Sequence, residues 1–195
     1  GNDLFYWTGG AATVEGGEDG FDPNPYQPYD LSVGMTTGDM VRIDGDTGAS
    51  VRFDGWNSSF ARMGRDRLDM TGIERVYTTA GDDTIRAGQA TSPDGWQGIS
   101  IFAGAGDDDI NGSRFDDVID GGSGNDTIRA GAGNDFVNSS TGDDLIYGGA
   151  GDENIRWGIG DAHWHDPGND TIYGGEGHDL INVWVKDGDF NGADH

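Results

Sequence analysis

The sequence contains no cysteine, a single lysine and no long apolar run. The absence of cysteine excludes a disulfide framework, a thiolate zinc site and a cysteine nucleophile. Ten arginines and Lys186 stand against 36 acidic residues, and the net charge is −25. A chain this acidic lacks the basic surface that nucleic acid or an anionic membrane requires. No apolar stretch approaches the ~20 residues of a membrane span, and no signal peptide pattern is present.

Large aliphatic residues are scarce as well. Leu, Ile, Val and Phe together make up less than a fifth of the chain, which at this net charge is typical of a disordered protein. Six Trp and six Tyr, however, are more than disordered tails usually carry. The composition therefore indicates a chain that cannot fold unaided but could fold with a counter-charge.

What the sequence does have is glycine and aspartate, 37 and 31 residues, arranged with a period of nine. From Ala103 the blocks read AGAGDDDIN, GSRFDDVID, GGSGNDTIR, AGAGNDFVN, SSTGDDLIY, GGAGDENIR and WGIGDAHWH, followed by the shorter DPGNDTIY and by GGEGHDLIN, which ends at Asn182. A further copy, TTAGDDTIR, covers residues 78–86. The sixth position is acidic in all blocks but one, and the eighth is Ile or Val in all but one.

This spacing predicts a coil. Glycines at the first, second and fourth positions permit a tight turn, and the last three residues form a short strand whose apolar middle side chain points inward. Two repeats then make one coil with a strand on each side, and stacked coils give two parallel sheets. We therefore predict an all-β fold, a right-handed parallel β-roll with a thin core of Ile and Val.

The same geometry brings acidic residues together. Turns on one side of the roll place the sixth-position carboxylates of repeats n and n+2 close to each other, and their repulsion opposes folding. A divalent cation that prefers oxygen ligands would remove this repulsion and use the carbonyls of the glycine turns. Calcium fits best, because it accepts 6–8 oxygen ligands in tolerant geometry, whereas magnesium demands strict octahedra.

The nonamer G-G-x-G-x-D-x-U-x, with U an apolar residue, resembles the hemolysin-type calcium-binding repeat of the RTX (repeats-in-toxin) family. The resemblance is specific for residues 103–182 and fair for residues 78–86. It implies that each ion is held by the second- and fourth-position carbonyls and sixth-position carboxylate of one turn, completed by the first- and third-position carbonyls and the carboxylate two turns later. We expect about four to six ions. The candidate ligands carried over to this sequence are Thr79, Gly81, Asp83, Ala103, Gly104, Ala105, Gly106, Asp108, Ser113, Phe115, Asp117, Gly121, Gly122, Ser123, Gly124, Asp126, Ala130, Gly131, Ala132, Gly133, Asp135, Ser139, Thr141, Asp144, Gly148, Ala150, Glu153, Asp170 and Asp179.

Four departures from the pattern affect these sites. Phe115 replaces a turn glycine, so its site requires a backbone conformation open to residues with side chains. Glu153 has one extra methylene and would reach an ion at an altered distance. Ala162 supplies no carboxylate, so we expect the two sites of its turn to be weak or empty. The missing residue before Asp166 disturbs the register locally.

Residues 1–77 have no nine-residue period. Three prolines make residues 16–30 an irregular loop, and alternating runs divided by Gly and Asp follow. We predict irregular β coils that continue or cap the roll over residues 1–77, the roll itself over 78–182 and a C-terminal extension over 183–195. The chain begins inside a repeat and ends without a convincing export signal, so we expect a segment of a larger protein with fused passenger domains.

Two other interpretations stay open. Asp161, His163, His165 and Asp166 could bind zinc, although a protruding loop with Trp164 in the core explains them more simply. A cleft lined with arginines and aromatics could hold an acidic glycan, in which case the coils would carry a polysaccharide-acting enzyme or a glycan-binding module. The residues for this cleft are Arg42, Arg52, Arg62, Arg65 and Arg67, with Trp7, Trp56, Trp96 and Trp157 as a stacking platform.

The favoured interpretation is a non-enzymatic, calcium-binding β-roll segment of a secreted protein that folds on binding calcium outside the cell. No serine, histidine and carboxylate stand out as a nucleophilic triad, and the repeat already assigns most carboxylates. The resemblance to the RTX family further implies type I secretion from a Gram-negative bacterium.

Overall fold

The computed structural model describes residues 4–7, 12–15, 39–43, 48–53, 59–63, 66–71, 73–88, 98–157 and 168–183. In these ranges the chain forms strands and no helix, so none of the described segments is a helix that could span a membrane. The strands are β1 (Leu4–Trp7), β2 (Ala12–Glu15), β3 (Asp39–Ile43), β4 (Ala49–Phe53), β5 (Ser59–Met63), β6 (Asp66–Thr71), β7 (Ile73–Thr78), β8 (Thr84–Arg86), β9 (Ser100–Ala105), β10 (Asp109–Asn111), β11 (Val118–Ser123), β12 (Thr127–Ala132), β13 (Phe136–Asn138), β14 (Leu145–Ala150), β15 (Asn154–Trp157), β16 (Thr171–Glu176) and β17 (Leu180–Val183).

The strands of the repeats follow the predicted alternation. In β8 and β10 the middle residue is buried between two half-buried neighbours, as expected for a single apolar side chain directed inward. Longer strands such as β11 continue into the first three positions of the next repeat. The eighth-position side chains form the core and are fully buried at Ile85, Ile110, Ile119, Ile128, Val137, Ile146 and Ile155.

The strands assemble into two sheets. One has the order β1-β3-β7-β9-β11-β13-β15-β17 and the other the order β16-β14-β12-β10-β8-β4-β5-β6-β2. Within the repeats every pairing is parallel and in register, so that Ile110 lies beside Ile128 and Ile119 beside Val137. Successive coils thus stack core residue on core residue. The prediction of an all-β parallel β-roll is confirmed.

The N-terminal part continues both sheets. β3 and β7 extend the first sheet in parallel, and β4 pairs in parallel with β8 in the second. β5 departs from the roll, because it is antiparallel to both β4 and β6. The expected irregular coils are therefore partly an antiparallel ribbon joined to the end of the roll. The predicted loop at residues 16–30 lies outside the described residues.

The strands on either side of the block WGIGDAHWH depart from the regular spacing. β14 pairs directly with β16 at a separation of 26 residues, and β15 pairs with β17 at the same separation. Regular neighbouring coils are 18 residues apart. Asp144 and Asp170 are consecutive in their column, because the N–H of Asp144 donates directly to Oδ1 of Asp170. Ala162, His163, Trp164, His165 and Asp166 all lie outside the described residues.

Candidate metal sites in the turns of the roll

The turns of the repeats form two columns, one on each side of the roll. The first column consists of the turns that end at Asp83, Asp108, Asp126, Asp144 and Asp170. The second column consists of the turns that end at Asp117, Asp135, Glu153 and Asp179. We call two consecutive sixth-position carboxylates in one column a rung. The structure brings the predicted acidic ligands together in this order, as the n to n+2 spacing required.

Every rung except that of Asp135 and Glu153 is closed by a hydrogen bond from the backbone. The N–H of Asp108 donates to Oδ1 of Asp126 at 3.0 Å, and the N–H of Asp126 donates to Oδ1 of Asp144 at 2.8 Å. In the second column the N–H of Asp117 donates to Oδ1 of Asp135 at 2.8 Å. In these rungs the carboxylate of the later coil accepts the backbone N–H of the earlier coil through one oxygen.

The second oxygen of several of these carboxylates has no hydrogen-bond partner. This holds for Oδ2 of Asp83, Asp108, Asp126 and Asp135, and for both carboxylate oxygens of Glu153. All five side chains are at most 2% exposed. Burying a polar atom without a partner costs about 1–3 kcal/mol, and more for a charged group. Such a row of buried, unpartnered carboxylate oxygens calls for a cation.

The pKa values of the rung carboxylates also indicate a place for a cation. Burial raises the pKa of Asp126 to about 8, and it raises the pKa values of Asp108 and Asp135 to about 7. Neighbouring carboxylates add to this increase, while the backbone N–H at Oδ1 opposes it. The ionised form is therefore destabilised where it lies, and a positive charge beside the second oxygens would stabilise it.

Glycines bring the turn carbonyls of successive coils together. Gly122 has a φ of 99°, and a Cβ placed on it would meet the carbonyl oxygen of Gly104 in the preceding turn. The carbonyl of Gly122 accepts the N–H of Thr141 at 3.1 Å, and that of Ser123 accepts the N–H of Gly106 at 2.8 Å. Each carbonyl has a second lone pair available for a cation.

The donor set fits calcium. Among the described residues, no three His, Cys, Asp or Glu side chains converge on one point. A rung instead offers two carboxylates together with backbone carbonyls, which are all hard oxygen donors of the kind calcium prefers. In this arrangement the first- to fourth-position residues would contribute carbonyls and the sixth-position residues carboxylates.

Three of the described turns depart from the glycine pattern, and the first of them, residues 78–83, has Thr79 at the second position without a positive φ. In the turn of residues 139–144, Ser140 replaces the second glycine and adopts a φ of 68°. Its Oγ lies 3.2 Å from Oδ1 of Asp120 and 2.9 Å from Nδ2 of Asn138, so hydrogen bonds hold this strained residue. The turn of residues 112–117, with Ser113 and Phe115 at the glycine positions, has a different conformation that is described below.

Sequence reasoning missed a second ladder, formed by the exposed fifth-position side chains. Oδ1 of Asp107 accepts the N–H of Asn125, and Oδ1 of Asn125 accepts the N–H of Asp143, both at 2.8 Å. The second column repeats this through Asp116, Asn134 and Asp152. The signal in the sequence was the recurrence of Asp or Asn at the fifth position.

Two of the five arginines of the cleft considered above lie among the described side chains. Arg42 lies on β3 in one sheet, and Arg52 lies on β4 in the other. The side chains of Arg62, Arg65 and Arg67, and those of the four tryptophans, lie outside the description. Aromatic rings that are described stack on each other, at 4.3 Å for Tyr77 and Phe102 and 5.0 Å for Tyr147 and Tyr173, which covers their facing surfaces.

Fold and turns together define a calcium-binding parallel β-roll. The family model of the RTX calcium-binding nonapeptide repeat matches the chain in four copies, at residues 70–90, 102–137, 133–161 and 166–183. The matches cover half of the chain, and the chain belongs to this family. No curated protein and no solved structure matched the chain in the corresponding searches.

Proposed function

We propose that this chain is the calcium-dependent folding unit of a larger secreted protein and has no catalytic activity of its own. The observation that supports this most strongly is the row of buried carboxylate oxygens without hydrogen-bond partners along both columns. Its calcium-dependent part is the roll of residues 78–182, which residues 1–77 continue or cap and residues 183–195 extend. Fused passenger domains would carry the activity of the whole protein.

Calcium stabilises the roll because it binds only the folded form. Without calcium, the net charge of −25 and the buried carboxylates favour an expanded chain. An ion at tenfold its Kd adds about 1.4 kcal/mol per site. About four to six such sites contribute about 6–8 kcal/mol, which is comparable to the entire stability of many domains. Folding would therefore depend steeply on calcium concentration.

This dependence suits a protein that is exported unfolded. Calcium is scarce inside cells and abundant outside them, so the same chain would stay expanded before export and fold afterwards. Repeats of this family typically occur in secreted proteins, and the family resemblance supports type I secretion from a Gram-negative bacterium. The expanded state is then the transport-competent form, and calcium makes folding directional.

The test is a calcium titration of the purified 195-residue chain after exhaustive chelation. We expect calcium to induce the far-UV circular dichroism spectrum of a β protein and a decrease in hydrodynamic radius, with about four to six ions bound by isothermal titration calorimetry. Magnesium at the same concentrations is the control and should induce neither change. A chelated sample with full β structure and an unchanged melting temperature, or an equal response to magnesium, would overturn the proposal.

A further inference from the structure

The turn of residues 112–117 differs from its neighbours in backbone conformation. In the turns that end at Asp108, Asp126, Asp135, Asp144, Glu153 and Asp179, the second and fourth residues all have φ between 68° and 142°. Ser140 is the one non-glycine residue of the described part with a positive φ, so Ser113 and Phe115 do not adopt this conformation. The turn of residues 112–117 therefore follows another path.

This path folds Ser113 onto the carboxylate of its own turn. The N–H of Ser113 donates to Oδ2 of Asp117, and the Oγ of Ser113 donates to Oδ1 at 2.8 Å. Ser113 Oγ also accepts the N–H of Phe115 at 3.1 Å, which fixes the loop between them. A third donor, the N–H of Ile99, lies 2.7 Å from Oδ1 of Asp117.

Asp117 is thus hydrogen-bonded through both oxygens, unlike Asp126 and Asp135, whose Oδ2 atoms have no partner. Asp117 also differs in the residue that lies beside it in the preceding coil. Val118 pairs with Ser100, so Ile99 stands where the preceding sixth-position carboxylate would be. The only adjacent carboxylate in this column is Asp135, on the other side.

We propose that Ser113 replaces calcium at this turn, so that the rung between Asp117 and Asp135 closes without an ion. The inference rests on the calcium-binding function proposed above and changes the assignment of Ser113, Phe115 and Asp117 from ligands to a metal-independent closure. Hydrogen bonds from Ser113 stabilise the charge of Asp117 and use the lone pairs that an ion would need. Ser113 is in this sense a positioning residue that acts through Asp117.

The first test compares two carboxamide variants by calcium stoichiometry. Asp117→Asn should bind as many ions as the unmodified chain. Asp135→Asn should bind one ion fewer, because Asp135 also belongs to the rung with Glu153. Loss of one ion in Asp117→Asn would overturn the inference while leaving the calcium-binding function intact. A chain that binds no calcium at all would instead overturn the proposed function.

The second test restores the missing glycines. The double variant Ser113→Gly/Phe115→Gly can adopt the conformation of the other turns, and it should gain one calcium ion. Ser123→Gly is the matched control, since it changes a serine in a turn that already has glycine at the second and fourth positions, and it should gain none. An unchanged stoichiometry in the double variant contradicts the inference.

A measurement on the unmodified chain covers the case of variants that fail to fold. In the calcium-saturated protein, the amide of Ser113 should be strongly protected from hydrogen exchange because it donates to Asp117. If calcium occupied this rung, Asp117 would turn to the ion and the Ser113 amide would exchange freely, which would refute the inference.

Discussion

Replacing Asp126 by asparagine should stabilise the calcium-free roll and destabilise the calcium-loaded one. Asp126 is 1% exposed, its Oδ1 accepts the N–H of Asp108, and its Oδ2 has no hydrogen-bond partner. Asp126→Asn keeps the acceptor oxygen and therefore the backbone ladder. It removes the negative charge at the second oxygen and nothing else of comparable size.

The two effects have different magnitudes. Asp126 belongs to the rungs with Asp108 and with Asp144, so the substitution weakens two sites. At calcium tenfold above Kd, this costs about 3 kcal/mol, roughly a hundredfold in the folding equilibrium. Without calcium, and at a pH above the Asp126 pKa of about 8, the buried charge and its repulsion with two neighbours disappear, which should stabilise the roll by about 1 kcal/mol.

The assay measures stability in both conditions. Urea unfolding in saturating calcium gives the first value, and folding by an excluded osmolyte in the presence of a chelator gives the second. Asp107→Asn is the control, because it removes the same charge one residue away at an exposed position and retains the acceptor for the N–H of Asn125. The reasoning would be refuted if Asp126→Asn changed the free energy of unfolding in the same direction with and without calcium, or if Asp107→Asn changed it by the same amounts.

Two further predictions follow from the turns. Gly122→Ala should lower the stability of the calcium-saturated protein by about 1–3 kcal/mol, because its φ of 99° is strained for alanine and the Cβ would meet the carbonyl of Gly104. The control is Gly88→Ala, whose Cβ would lie 3.8 Å from its nearest neighbour and which should leave the urea midpoint unchanged. Equal urea midpoints for the two variants would contradict the prediction. In chelator, the roll should lose stability as the pH rises from about 5 through the pKa values of about 7–8 of Asp108, Asp126 and Asp135, because their ordinary value is lower and the folded state binds protons more tightly. Osmolyte midpoints that do not vary between these pH values would count against it, and calcium addition near neutral pH should release protons into a weakly buffered solution.

The period of nine was sufficient to predict the roll, its inward Ile positions and the sequence of carboxylates in each column. It did not predict that β14 pairs with β16 at a separation of 26 residues, because a local match to Gly-x-Gly-Asp does not show which strands become neighbours. The antiparallel pairing of β5 escaped prediction because residues 49–71 have no period from which register could be read. At Phe115, loss of the glycine was visible, but the hydrogen bonds from Ser113 to Asp117 depend on the path the chain then takes.

A comparison of the fifth and sixth positions supports the proposal that calcium dependence resides in one residue of each repeat. Both side chains accept a backbone N–H from the neighbouring coil at similar distances, as in the 2.8 Å bond to Asp107 and the 3.0 Å bond to Asp126. The fifth position is exposed, so water can serve its remaining atoms, and asparagine stands there at Asn125, Asn134 and Asn169. An amide oxygen is therefore sufficient for the ladder. The sixth position is buried from Asp83 to Glu153 and half-buried at Asp170 and Asp179, yet every described rung is built from carboxylates. Since asparagine would make the same hydrogen bond without the cost of a buried charge, we infer that the carboxylate there has a different role, which is to bind the ion.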